Sequence, residues 1–357
     1  MKIEINKKRY RDFDSYMKEI FNKKIIKLPL DGGFTCPNRD GTISKTGCIF
    51  CSEAGSGEWT FGKKSISEQV AYQKSRLRKK NMPTAYLAYF QNFTNTYGDV
   101  SRLRDLYYEA LSCEYVMGLA IATRADCLSD EVLDLLEEIS KEYFLLVELG
   151  MQSVNEKTID LINRGYSHEV FNQGIRKLHA RGIPTLVHMI VGLPFEERVD
   201  FVDDITYINT IRPWGIKIHN LYIEKPSRLF DYYKQNNLAY GMEMEDYVEI
   251  VVDLLRRLRP EIVINRLTGD GIGEKIALPA WAKNKAKILT SIDKMMKDRN
   301  YRQGDLWKEE ETRNFLQTHL AKKAPIQIRK RACFWLLIFS QNSWIPWTKV
   351  KGQLEIQ

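Results

Sequence analysis

Three cysteines, Cys36, Cys48 and Cys51, fall in the pattern C-x11-C-x2-C within residues 31–59, DGGFTCPNRDGTISKTGCIFCSEAGSGEW. Clustered thiolates have three ordinary uses. A structural zinc site normally takes four protein ligands, and no His or fourth Cys stands nearby in the sequence. A disulfide fits poorly, because three is an odd number and the chain reads as cytosolic. An iron–sulfur cluster held by three thiolates leaves one iron open, and an open iron can bind a substrate or cofactor. Phe50, between Cys48 and Cys51, would give such a group an apolar cover.

The stretch is rich in Gly, Asn, Asp, Ser and Thr, so a loop is expected. The apolar run at 25–30, IIKLPL, reads as a strand before it, and Ser65 with Glu68 reads as a capping box opening a helix after it. The cysteines therefore sit on the loop after a first strand, at the strand end where α/β barrels place their chemistry. Strands near 25, 84, 115, 144, 184 and 215 alternate with helices, and a short closing strand is expected at 262–267. The fold class is α/β, a partial (β/α)6 barrel with small N- and C-terminal extensions, against the eight units of a complete barrel. The expected boundaries are a basic N-terminal extension at 1–24, the barrel at 25–275, and a helical, basic-aromatic extension at 276–357. An open barrel leaves a side through which a large substrate can enter.

Other residues able to do chemistry lie at the ends of later strands. The loop QNFTNTYG at 91–98 follows the second strand and contains Thr94 and Asn95. The string ELGMQSVNEKTIDLINRGYSHE at 148–169 follows the fourth, with Gln152, Arg164 and a second expected capping box at Ser153 and Glu156. HMIVGLPFEE at 188–197 closes the fifth, and His188 there reads either as a ligand or as a satisfied core group. Lys217 and His219 on the sixth strand are candidates to face substrate. Cys113 and Cys127 are isolated and read as buried thiols. The Gly-rich turn at 268–273 matches no phosphate loop.

A strand, a cysteine loop with an aromatic before its last Cys, and then a helix resemble the radical S-adenosylmethionine (radical SAM) enzymes, whose usual spacing is C-x3-C-x2-C. The longer first gap resembles the branch containing the Elongator catalytic subunit. The wording CPNRDGT…GCIFC is similar to a bacterial family related to that subunit, over roughly residues 10–300. The resemblance implies that Cys36, Cys48 and Cys51 hold a [4Fe–4S] cluster. S-adenosylmethionine would bind its open iron and be cleaved by one electron to methionine and a 5′-deoxyadenosyl radical, which takes a hydrogen atom from substrate. It carries cofactor contacts onto Gln152, Arg164 and His188. The family's Gly-Gly-Glu is absent after the second strand, so Thr94 and Asn95 would do its work. Ala122 and Ala125 replace the acidic residue near the third strand, where Arg124 or Asp126 could substitute. The resemblance further implies a tRNA substrate, with a modified wobble uridine carrying a carboxymethylaminomethyl-type side chain, and an electron donor such as flavodoxin or ferredoxin. No room remains for the Elongator acetyl-CoA domain. A radical SAM enzyme of small metabolites or proteins, a zinc-binding RNA module and an electron-transfer protein remain open alternatives.

Composition constrains the rest. Lys and Arg total 54 against 46 Asp and Glu, so the 357-residue chain carries +8, which permits a polyanionic partner. Hydrophobic residues make up 44%, enough for a large core. No run of 18 uncharged apolar residues points to a membrane span, and the charged start does not read as a signal peptide, so a cytoplasmic protein is expected. Residues 1–24 mix Lys and Arg with Tyr10, Phe13, Tyr16 and Phe21, as an amphipathic helix on the barrel or a nucleic-acid contact would. Residues 312–353 contain no Asp or Glu and read as a basic-aromatic arm or a packed extension.

Overall fold

The computed structural model describes residues 8–315 apart from positions 56, 58, 63, 78–83 and 270. Seven parallel strands form the main sheet: β1 (Lys24–Leu30), β2 (Thr84–Phe90), β3 (Val116–Thr123), β4 (Phe144–Gln152), β5 (Thr185–Val191), β6 (Gly215–Asn220) and β8 (Val263–Arg266), in that spatial order. A two-stranded antiparallel ribbon pairs β7 (Ile223–Glu224) with β9 (Ile276–Leu278). The helices are α1 (Phe13–Phe21), α2 (Ile66–Leu77), α3 (Val100–Leu111), α4 (Asp130–Glu142), α5 (Glu156–Leu161), α6 (His168–Ala180), α7 (Arg198–Ile211), α8 (Arg228–Gln235), α9 (Met244–Arg257) and α10 (Lys285–Asp298).

Strands such as TAYLAYF in β2 are nearly continuous apolar runs, because both faces of a parallel sheet are covered. The outer face packs on helices through residues such as Phe90, Leu119 and Val147 against Leu103, Leu136 and Phe171. The inner face contributes Ile25, Leu87, Ala120, Leu146, Leu186 and Val263 to one cluster. A flat sheet would separate β1 from β8 by six spacings of about 4.8 Å; the short helix α1 packs against both strands, so the sheet curls into a half-barrel. Tight curling leaves no side-chain room at Gly118, where a Cβ would lie 1.9 Å from the Phe144 carbonyl oxygen on the neighbouring strand.

α1 closes the N-terminal mouth of the half-barrel. Asp12 caps it by accepting from Ser15 N at 3.1 Å, and Asp12 also bridges to Ile264 of β8. Met17 is fully buried among the inner-face residues, and Trp214 meets Phe13 and Tyr16 edge-on. The amphipathic-helix expectation for this segment therefore describes residues 13–21, while residues 1–7 lie outside the described residues. Met17→Ala is expected to cost about 2–5 kcal/mol, as removal of a large side chain from a packed core does; urea unfolding followed by circular dichroism measures it.

Two further details depart from the sequence reading. α5 is capped by Asn155, which accepts from Lys157 N at 3.0 Å, and not by Ser153, whose Oγ accepts from Asn155 N at 3.1 Å two residues too early. The segment from 276 returns to the barrel: β9 pairs with β7, and α10 buries Ile288, Ile292 and Met296 in the same core. The arm read over residues 312–353 lies, beyond 315, outside the described residues.

Candidate cluster and cofactor site

The cysteine loop contains no helix or strand between Leu30 and Ile66 among the described residues. It is held in shape by groups outside itself, chiefly the turn after α5. Ile49 N donates to Ile162 O (3.0 Å), Asn163 Nδ2 to Gly47 O (2.7 Å), and the fully buried Asn38 donates through Nδ2 to Asn163 O (2.7 Å). The same Asn38 amide lies 3.6 Å from Cys48 Sγ, as a donor to it. Gly165, with φ +80°, lets the turn approach this closely: a Cβ there would stand 2.7 Å from Asn38 Oδ1. Arg39 spans the last cysteine, donating to the carbonyls of Cys51 (3.2 Å), Ser52 (2.5 Å) and Glu53 (3.1 Å). Asn38→Ala removes the amide link between loop and turn. It is expected to cost about 1–3 kcal/mol, as loss of a buried hydrogen-bonding partner does, and to lower the iron retained after anaerobic reconstitution.

Cys36, Cys48 and Cys51 share the wall of one cavity of about 240 Å³ with Thr94, Gln152, Arg164 and His188. Burial pushes the Cys48 thiol up, while Arg124 and Arg164 oppose that. Among the described residues, no three His, Cys, Asp or Glu side chains are placed to share one metal ion. A four-iron cluster holds its thiolates farther apart than a single ion does, so three thiols spread on one cavity wall fit the cluster better than zinc.

Each expected contact residue has a definite place. Thr94 is fully buried at the wall, and its Oγ1 has no protein hydrogen-bond partner. Asn95 stands behind it, tied through N and Nδ2 to Ala122 O at 3.1 and 2.8 Å, with Oδ1 unpaired. The orphaned Thr94 Oγ1 on the thiol-lined wall suits the amine of an amino-acid cofactor, whereas Asn95 is not a lining residue of the cavity. Gln152 ends β4 in a left-handed conformation (φ +60°) at a register shift, with its amide nitrogen facing Gly150 O and Met151 O. Arg164, only 2% exposed, donates to the carbonyls of Met151 (2.5 Å) and Tyr166 (3.1 Å), and its guanidinium lies over the Tyr166 ring. It is thus a strut under the cavity wall. Arg124 and Asp126 grip each other at 2.9 and 2.7 Å, and Arg124 also donates to Arg164 O.

Below the thiols lies a polar layer on the inner face of the strands. Glu148 of β4 is 1% exposed. Its Oε1 accepts from Lys27 Nζ (2.7 Å); its Oε2 accepts from Tyr89 OH (2.8 Å) and Lys217 Nζ and meets His188 Nε2 at 2.9 Å. Burial alone would raise the Glu148 carboxyl, but Lys217, Lys27 and His188 hold it well below the usual carboxylate range. Burial, with Lys217 beside it, pulls His188 down to about 4. Register explains the assembly: Gly150, His188, Lys217 and Arg266 are successive partners across β4, β5, β6 and β8. Lys217 and His219 do face the cavity, as the sequence indicated, and His188 is a cavity residue bonded to Glu148. Glu148, Tyr89, Lys27 and Arg266 were not anticipated; a lone charge in each of the apolar strings FLLVELGMQ and IIKLPL was the available signal.

The family model of the radical SAM superfamily matches residues 36–208, and that of the radical SAM C-terminal domain matches 213–298. The chain belongs to the radical SAM superfamily. Enzymes of this superfamily use a [4Fe–4S] cluster and S-adenosylmethionine. The uncharacterised protein YtqA of Bacillus subtilis is 39% identical over 308 residues, 85% of this chain and 95% of its own length. Protein YhcC of Escherichia coli K12 is 34% identical over 279 residues, 78% of this chain and 89% of its own. Among solved structures, the archaeal Methanocaldococcus infernus Elp3 superposes with a TM-score of 0.58 at 16% identity, over 78% of this chain and 64% of that one, a likeness of fold. No helix among the described residues is long and apolar enough to cross a membrane.

Proposed function

We propose that this radical SAM enzyme modifies the wobble uridine of a tRNA, acting on a carboxymethylaminomethyl-type side chain in the cytoplasm with electrons from a flavodoxin or ferredoxin. The observation that carries this reading is the cavity itself, with cysteine thiols on its wall and an ionised polar layer at its inner end. Cys36, Cys48 and Cys51 would hold the cluster, and Thr94, with its unpaired Oγ1, would accept from the cofactor's amine. When bound, the pair supplies hydrogen-atom abstraction. The rest is the chain's own work. Gln152 and Arg164 shape the wall, the post-α5 turn fixes the cysteine loop, and the apolar floor with α1 shuts water out from below.

Three features support an RNA substrate. The chain carries +8. The half-barrel leaves one side open. Exposed apolar side chains stand on loops at the cavity end of the strands: Ile43 and Trp59 on the cysteine loop, and Phe195, 72% exposed, after β5. The rings of Trp59 and Phe195 can stack on splayed bases. Nucleoside mass spectrometry of tRNA from a deletion strain is expected to show one wobble-uridine derivative lost and its precursor accumulated; an unchanged profile sinks the reading. Phe195→Ala is expected to weaken tRNA binding by about 1–3 kcal/mol, the range for one stacked base, with the salt slope unchanged.

A further inference from the structure

α10 turns one face to the core and the other to solvent. Ile288, Ile292 and Met296 are fully buried. Opposite them, Lys287, Thr290, Lys294 and Lys297 follow at steps of three, four and three, which keeps them on one exposed face. Lys283 continues that line from the single 3₁₀ turn Ala280–Lys283 before the helix. Residues 274–302 hold 8 Lys and Arg against 3 Asp and Glu, an excess of 5 in a chain of net +8.

This charge runs against the helix's own electrostatics. A solvated helix is favoured by acids in its first turn, bases in its last and opposite signs three or four residues apart. The neighbouring α9 complies: Glu245 and Asp246 open it, and Arg256 and Arg257 close it. α10 has no acidic residue in its first turn, where Lys285 and Lys287 stand, and Lys294 and Lys297 form a like-charged pair three residues apart. Carboxylates beside the face are engaged: Asp298 with Lys294, Glu249 with Arg299 at 3.9 Å, and Asp305 with Arg256 at 2.8 Å. Among the described residues, no carboxylate forms an ion pair with Lys283, Lys287, Lys297 or Arg302. Residues 312–353 contain no Asp or Glu with which to supply one.

The two ends of the face are anchored. At its start, Trp281 donates through Nε1 to Met242 O (3.0 Å) and meets the Tyr240 ring at 6.3 Å, while Tyr240 OH donates to Leu221 O (2.8 Å) in the cavity wall. At its end the basic N-terminal segment joins it. Gln303 N donates to Arg9 O (3.0 Å), Arg9 Nη1 to Asn300 Oδ1 (2.6 Å) and Arg11 N to Gln303 Oε1 (2.9 Å). Arg9 is thereby set against the stretch that carries Arg299 and Arg302. The 14 residues of α10 make a cationic line about 21 Å long that starts beside the cavity wall.

We propose that the outer face of α10, from Lys283 through Lys287 and Lys297 to Arg302, docks the phosphate backbone of an RNA whose substrate nucleoside enters the cavity. The proposal rests on the tRNA reading and adds a surface to it. An acidic protein fits this face less well, because protein interfaces have an apolar centre and no large apolar side chain is exposed between 283 and 302. Lysines holding phosphates position the RNA without reading its bases.

The test measures binding of a tRNA transcript to the reconstituted full chain over a series of salt concentrations. One variant combines Lys283→Gln, Lys287→Gln and Lys297→Gln. A control of equal net charge combines Lys141→Gln, Arg176→Gln and Lys177→Gln, all exposed on α4 and α6. The α10 variant is expected to bind about tenfold or more weakly, with the slope of log affinity against log salt reduced by about two, as three lost phosphate contacts require. The control is expected to keep the wild-type slope. The urea midpoint of the α10 variant is expected to match or exceed that of wild type, because unfavourable charges have left the helix, so weakened binding is separated from unfolding. Equal losses in both variants overturn the proposal, since net charge alone would then account for them. A wild-type slope in the α10 variant overturns it and leaves the tRNA reading standing; if that variant instead loses reduction by flavodoxin, the face belongs to the electron donor. Absence of salt-sensitive tRNA binding in the wild type removes both readings.

Discussion

Cys48→Ala is expected to abolish cluster assembly. Wild-type protein reconstituted anaerobically with iron and sulfide should bind about four of each per chain, as a [4Fe–4S] centre requires; the variant should be colourless, with both near background. The effect should be complete, because two thiolates cannot hold three corners of a cube. The fold should survive, since the loop is fixed by Asn38, Ile49, Asn163 and Arg39, and only the Asn38 contact ends on the lost sulfur. Cys113→Ala is the control: that thiol donates to Glu109 O at 3.4 Å, one turn back on α3, and its removal should leave iron content unchanged. Zinc in place of iron in the wild type, without sulfide, would reverse the assignment.

The strands and most helices were legible in the sequence because each buried strand is a run of apolar residues and most helices begin at a polar cap, as Ser129 does for α4 and Ser65 for α2. The thiols were legible for the same kind of reason, since their spacing is local. What links elements was not legible. Ser153 and Asn155 both offer a capping oxygen, and only the backbone turn after the bulge at Gln152 decides between them. Arg164 lines the cavity, and the sequence did not show that its guanidinium also bonds the carbonyls of Met151 and Tyr166, a partnership set by the path of the turn between β4 and α6. The Glu148 layer depends on the inward faces of five strands meeting across a curled sheet, and no window of sequence contains that geometry.

Glu148→Ala is expected to be among the most destabilising single changes in the barrel, at about 3–5 kcal/mol, because it leaves Lys217 and Lys27 as buried charges without a counter-ion. Glu148→Gln keeps the shape and one acceptor, and should cost less. Removing the partners together with the charge, as in Glu148→Leu with Lys27→Met and Lys217→Met, should recover much of the loss, since a buried ionic group replaced by apolar residues is often neutral in stability. The pH dependence has a definite sign. The native carboxyl titrates well below its usual value, so its contribution is present above the ordinary carboxylate range and is lost as the pH falls through the native value. Urea midpoints followed from neutral pH into the acid range should therefore fall less steeply in Glu148→Ala than in wild type.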